Sequence, residues 1–314
     1  MCRHLIVITL VMVLAAPALA AEPNTDQPKP IEGIGPTDPV TVVGEGFRFT
    51  EGPAADADGR LYFTDVFAGR VHRVADDGTV ETLLDDSQGI NGLMFDAAGT
   101  LFGCQGRAGR IVKVDVDTKK ITPFASEYQG KRFNAPNDLV VDSVGGVYFT
   151  DPQFGQASQD KAAFYYAAAD GTVTRLGDDL NFPNGILLSP DETKLYVLPY
   201  RSADVMVYDI KSPGVIGQGR VFCKMASVEK FPQRGGDGMT IESKGKLCLR
   251  VPAASSIQVV DPAGETLGVI PVPKTPTNCA FSGKDLKTLV VTTPSTVYAM
   301  PMAVAGHRHG RLKK

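Results

Sequence analysis

Apolar residues in this chain fall in short runs that break at acidic, asparagine or glycine clusters, as in LYFTD from Leu61, VYFTD from Val147 and LYVL from Leu195. Such runs read as strands joined by tight turns, and the 3.6-residue period of helices is nearly absent. One unit recurs six times: a polar residue, an apolar strand, a glycine-type turn and a second strand. The copies are EGPAADADGRLYFTD from Glu51, NGLMFDAAGTLFGCQ from Asn91, NDLVVDSVGGVYFTD from Asn137, NGILLSPDETKLYVL from Asn184, DGMTIESKGKLCLRV from Asp237 and NCAFSGKDLKTLVVT from Asn278.

Two further strand-like stretches follow each of the first five copies, giving four strands per unit at a spacing of 40 to 53 residues. That arithmetic predicts an all-β fold, a six-bladed β-propeller with four-stranded antiparallel blades. A β-helix, the structural competitor, has much shorter repeats. The sixth unit holds only three strands, which would leave a sheet edge open. Val40–Gly46, ahead of the first copy, is therefore expected to supply the missing outer strand and close the ring.

The ends are different in character. Residues 1–20 combine a basic start, a short apolar run and Ala18-Leu19-Ala20, and read as a cleavable signal peptide that sends the chain to a periplasm or the exterior. Residues 21–39 are polar and proline-rich and read as a flexible lead-in. The propeller is expected over 40–302, with a basic tail over 303–314. Lys and Arg total 32 against 35 Asp and Glu, a net charge of −3 with both signs interspersed. Nothing in that balance recommends nucleic acid or, after signal cleavage, a membrane; a small molecule is the expected partner. A closed ring leaves no long edge to pair, so a monomer is expected. Cys104, Cys223, Cys248 and Cys279 remain in the mature chain, and buried free thiols are the favoured reading over bridges.

The first strand of each propeller blade lines the central channel, so Glu51, Asn91, Asn137, Asn184, Asp237 and Asn278 share one level of it. Taken singly, each is a turn former. As a ring they supply two carboxylates and four amides in a poorly solvated channel, where bare carboxylates need a counter-charge. One divalent cation meets that need with hard oxygen donors: calcium first, with magnesium, manganese and zinc as alternatives. Of the histidines, His4 leaves with the signal, His307 and His309 lie in the tail, and His72 falls in a third strand. A Ser-His-Asp hydrolase, a H-E-x-x-H protease and a histidine-dyad lactonase thus lack their base. No G-x-S-x-G or nucleotide-cradling loop occurs.

With FTEGPAAD, RFNAPNDLVVD, VYFTDPQFG, FPNGILLSPD, GGDGMTIE and PTNCAFSGKDLKTLVVT side by side, the chain resembles the senescence-marker-protein/gluconolactonase/LRE-like family from about Gly46 to Met300. FTDP and PTNCAF are similar to its bacterial gluconolactonase branch. The resemblance implies a six-bladed propeller whose divalent metal is held by Glu51, Asn184 and Asp237, with Asn137 beside metal and substrate and Asp237 as the proton-transfer residue. Animal members carry an arginine two residues before the ND motif; Ala135 stands there in this chain, and Arg132 lies upstream. Arg132 and Asn134 are accordingly the expected substrate-binding residues, with Phe154, Tyr200 and Arg234 as further candidates at the same mouth.

The implied activity is metal-dependent hydrolysis of a small sugar lactone, the cation polarising the carbonyl for attack by water. The alternatives are a non-catalytic binding propeller with a structural ion, and a metal-dependent esterase or phosphotriesterase.

Overall fold

The computed structural model describes residues 30–154, 157–226, 235–251 and 254–310. It contains strands and turns and, among the described residues, no α-helix. Six antiparallel sheets stand around one axis. Blade one runs Thr50–Ala55, Leu61–Asp65, Arg70–Val74, Val80–Leu84, and blade two Ile90–Phe95, Leu101–Gln105, Arg110–Val114, Ile121–Ala125. Blade three is Leu139–Val141, Val147–Asp151, Ala163–Ala167, Val173–Gly177, and blade four Pro183–Leu188, Lys194–Pro199, Asp204–Ser212, Arg220–Lys224 with the short Val215–Ile216 attached. Blade five is Met239–Ile241, Leu247–Val251, Ser256–Val260, Thr266–Pro271.

Blade six takes Asn278–Ser282, Thr288–Thr292 and Thr296–Pro301 from the C-terminal end and Thr41–Glu45 from the other. That outermost strand pairs antiparallel with its neighbour from Thr41↔Ala299 to Glu45↔Thr296, closing the ring as its three-strand sixth repeat requires. Every residue of the second strands of blades one, two, three and five is buried, because each lies between the channel wall and the outer strands. Apolar side chains then pack between neighbouring blades, as where Val140 and Tyr148 of blade three meet Ile186, Leu187 and Tyr196 of blade four.

The turns between first and second strands explain themselves chemically. Asp56, Asp96 and Asp142 each accept two backbone N–H groups of the following turn through one carboxylate oxygen, at 2.7 to 3.0 Å, which satisfies donors that the hairpin leaves unpaired.

Residues 30–39 and 303–310 are more ordered than their composition suggests. Residues 30–39, within the expected flexible lead-in, pack against blades five and six: Ile34 is buried beside Met302 and Ile257, and its carbonyl accepts the Ala303 N–H at 3.0 Å. Two isoleucines, Ile31 and Ile34, anchor a segment whose prolines and charges otherwise read as solvated. The tail from Ala303 crosses the underside of the channel. Its backbone bonds run from blade five (His307 N–H to Ile241 O, 2.9 Å) and blade six (Gly306 N–H to Leu286 O, 2.8 Å) to blade two (Ala97 N–H to Gly310 O, 2.9 Å). Arg308 adds a bond to the Asp56 carbonyl of blade one. His309 is buried, so the tail acts as a second fastening between late and early blades. The expected signal peptide, residues 21–29 of the lead-in and residues 311–314 lie outside the described residues.

Cys104, Cys223, Cys248 and Cys279 are buried free thiols, as composition suggested. His72 is a packed strand residue, its ring 5.2 Å from those of Phe47 and Phe63, and burial lowers its pKa.

Candidate active site

The six ring residues converge at the upper end of the channel, where the first strands begin. What lets them approach is the residue that follows. A side chain at Gly52 would collide with the Asn91 carbonyl of the next blade, and one at Gly185 with the Asp237 carbonyl. Glycine in these Glu-Gly and Asn-Gly pairs is thus a device for close approach between blades rather than the mark of a turn.

Glu51, Asn184 and Asp237 are buried, while Asn137 is half-buried at the mouth. Glu51 Oε2 accepts its neighbour's Gly52 N–H and the Asn278 side-chain amide, both at 3.0 Å. Burial drives the Glu51 pKa well above the ordinary carboxylate range, and the nearby Asp237 and Asp138 carboxylates add to the rise. Burial also raises Asp237, opposed by the Arg250 guanidinium and the Asn184 amide. Asp138, next to Asn137, is pushed up to about 7 by burial.

The arrangement therefore holds more acceptors than donors. Asn184 Oδ1 is buried with no hydrogen-bond partner, a cost of about 1–3 kcal/mol unless a ligand meets it. A hard divalent cation satisfies that oxygen and relieves the repulsion among the carboxylates, so the residues present fit such an ion. Among the described residues no three His, Cys, Asp or Glu side chains form a metal-holding cluster; the donors here are carboxylates joined by amides. The Asn137 side chain has no hydrogen-bond partner among the described residues and is open to a ligand.

The loop residues around the mouth differ in availability. Arg132 sits on a short hairpin, Glu127–Tyr128 with Lys131–Arg132, and is exposed. Its guanidinium is braced on Ser158 Oγ at 3.0 Å and on the Arg107 and Asn134 carbonyls at 3.2 Å. Asn134, expected to bind substrate, is 4% exposed and its amide is consumed within the protein. Nδ2 donates to the Lys161 carbonyl at 3.0 Å, and Oδ1 accepts the Ser158 and Gln159 N–H groups at 2.9 Å. The structure thus gives Asn134 a loop-shaping part. Phe154 and Tyr200 meet at one rim, ring centroids 5.7 Å apart, with Phe182 5.4 Å from Phe154. Arg234 lies outside the described residues.

Two contributors, Arg250 and Asp138, were not singled out from sequence. Arg250 Nη2 lies 3.1 Å from Asp237 Oδ2. Its only sequence signal is a charge inside the apolar strand LCLRV. Asp138 follows Asn137 in the ND pair, where the other ring residues of blades one, two, four and five are followed by glycine. Asn278, a member of the ring, orients Glu51 rather than facing the channel freely.

Below the ring, a cavity of about 80 Å3 continues between first-strand residues such as Leu93, Leu139, Ile186 and Met239, and reaches His307 and His309 of the tail.

Comparison with known proteins accords with this geometry. A gluconolactonase of Zymomonas mobilis is 32% identical over 275 residues, spanning 78% of this chain and 76% of that protein. A pentonolactonase of Haloferax volcanii is 29% identical over 265 residues, 80% of this chain and 84% of its own. The solved structure of a gluconolactonase from Xanthomonas campestris superposes with a TM-score of 0.75 at 30% identity, covering 84% of this chain and 89% of that one. The model of the SMP-30/Gluconolactonase/LRE-like region matches residues 49–295, from the first strand of blade one to the second strand of blade six, and the chain belongs to that family.

Proposed function

We propose that the protein hydrolyses a small sugar lactone at the open end of the channel, assisted by one divalent cation held by Glu51, Asn184 and Asp237, with Asn137 beside it. A lactone-hydrolysing activity is supported by relatives named gluconolactonase and pentonolactonase that match most of the chain. The cation rests on a single observation: the buried, unpartnered Asn184 Oδ1 beside two buried carboxylates, a site short of positive charge. Oxygen donors throughout favour calcium, with magnesium, manganese and zinc as the other candidates. When bound, the ion supplies Lewis-acid polarisation of the lactone carbonyl.

The chain's own residues do the rest. Arg250 braces Asp237 through Oδ2, and Asp237 is the carboxylate proposed to take a proton from the attacking water. Asn278 and the Gly52 N–H hold Glu51 in one orientation. Asn137 offers an unspent amide to the substrate's hydroxyls or ring oxygen, and Arg132 bounds the mouth. The tail closes the lower end, so substrate enters and leaves from above. The character of residues 1–20 supports export to a periplasm or the exterior, and the closed ring supports a monomer.

The direct test is a panel of aldonolactones, simple esters and a phosphotriester, assayed before chelation, after it and after readdition of calcium. Lactone turnover that vanishes and returns supports the proposal. Ester or phosphotriester turnover in its place, or ligand binding without turnover, contradicts it.

A further inference from the structure

Arg250 stands in the second strand of blade five, Leu247–Val251, where every residue is buried. Its side chain is 9% exposed. Nε donates to the Pro276 carbonyl at 2.6 Å and Nη1 to the Gly235 carbonyl at 3.3 Å, so the guanidinium is braced by backbone on both sides of blade five. Nη2 then meets Asp237 Oδ2 at 3.1 Å. A guanidinium stays charged at every pH a protein survives. The channel wall therefore carries a fixed positive charge on the same carboxylate that the proposed cation needs.

We infer that Arg250 is a built-in competing charge that weakens the cation site and keeps its ion exchangeable. This rests on the cation reading above. Two effects of Arg250 on an ion oppose each other. It orients Asp237 in advance, and fixing one side chain counts for about tenfold in affinity. It also repels: a divalent ion about 6 Å from a single positive charge, at an effective dielectric of about 20, loses well over about 100-fold. Repulsion wins. The site then sits toward the weak end of calcium sites, where filling follows the ambient ion concentration, as in extracellular modules. Without Arg250, the free-site Asp237 would be an unpaired buried carboxylate, so the arginine also keeps the empty channel folded.

The sign of the effect separates this from an ordinary structural role, in which loss of Arg250 would loosen the site and weaken binding. The full chain, stripped by chelator, is titrated with calcium chloride by calorimetry at pH 8 for the wild type, Arg250→Met, Arg250→Gln and Arg250→Lys. Thermal melting with and without calcium runs alongside. Both neutral variants should bind calcium at least about tenfold tighter than the wild type and gain a larger calcium-dependent rise in Tm. Arg250→Lys, which keeps the charge, should stay near the wild type. The glutamine variant retains a donor for the Pro276 carbonyl and covers a folding defect in the methionine variant. Neutral variants that bind calcium equally or more weakly, while the wild type binds it, overturn this inference and leave the cation reading standing. Absence of calcium binding in all four contradicts the cation reading, and this inference with it.

Discussion

Thr150 Oγ1 donates a 2.6 Å hydrogen bond to the Asn184 carbonyl across the boundary between blades three and four. The same hydroxyl accepts the Asp138 N–H at 3.2 Å, so one buried threonine ties two residues of the site together. Thr64, at the same place in the blade-one FTD run, bonds the Asn91 carbonyl of blade two at 3.0 Å. The threonine of this run is a latch between blades.

Thr150→Val keeps the shape and removes the hydroxyl, leaving a buried carbonyl and a buried N–H short of a partner. Unfolding in denaturant should show a loss of about 1–3 kcal/mol. Cation affinity should fall with it, because Asn184 loses the bond that fixes its backbone. Thr64→Val should cost similar stability and spare the cation, since Asn91 is not among the proposed ligands. Equal loss of cation in both variants would count against the ligand set.

The aspartate that follows the threonine works on the incoming chain. Asp151 Oδ2 and Oδ1 accept the Asn134 and Ala135 N–H groups at 2.9 and 2.7 Å, and Asp65 does the same for Arg48 and Phe49 at 2.9 Å. Asp151→Asn turns an NH2 toward one of those donors. We expect a stability loss of about 1–3 kcal/mol. The segment that leads to Asn137 would shift, so KM should rise more than kcat falls. Steady-state kinetics on a lactone substrate reads this directly; an unchanged KM would mean that the segment does not position substrate.

His309 supplies a pH test remote from the ring. Burial, with the neighbouring His307, lowers its pKa from 6.5 to about 3, so the folded protein keeps it neutral. The unfolded chain takes up a proton below about 6.5 and the folded one does not. Stability from this group is thus fully present above about 6.5 and is lost as pH falls toward 3. Between pH 7 and 5 that loss is about 2 kcal/mol, and His309→Leu should remove this part of the acid sensitivity. Urea unfolding of both proteins at the two pH values checks it: parallel losses in wild type and variant would contradict the assignment.

Much of this was legible in the chain because a propeller repeats its phase. Strand period and turn spacing place the six first strands, and the shortage of one strand in the last repeat points to Val40–Gly46, where the strand Thr41–Glu45 lies. Phase lined up all six ring residues, and the resemblance, not the phase, picked out Glu51, Asn184 and Asp237 among them. Side-chain direction was not legible. Asn134 reads as an exposed polar loop residue, yet its amide turns inward to hold the 158–159 backbone. Arg250 reads only as a charge inside the apolar second strand LCLRV, because strand alternation cannot say which polar residue will turn to the channel. The run His307–His309 reads only as part of a basic tail, since nothing in its composition shows that backbone bonds to blades two, five and six draw it under the channel.

The central claim is that a cation held by Glu51 serves lactone hydrolysis. The most direct measurement is metal content per chain by elemental analysis, with lactone hydrolysis followed in parallel, on folded wild type, Glu51→Gln and Asn91→Ala. Glu51→Gln keeps the shape and removes one of two neutralising charges, so bound metal and activity should both fall steeply. Asn91→Ala should cost about 1 kcal/mol of stability and little metal. Full metal and full activity in Glu51→Gln, or metal lost as completely from Asn91→Ala, would contradict the account.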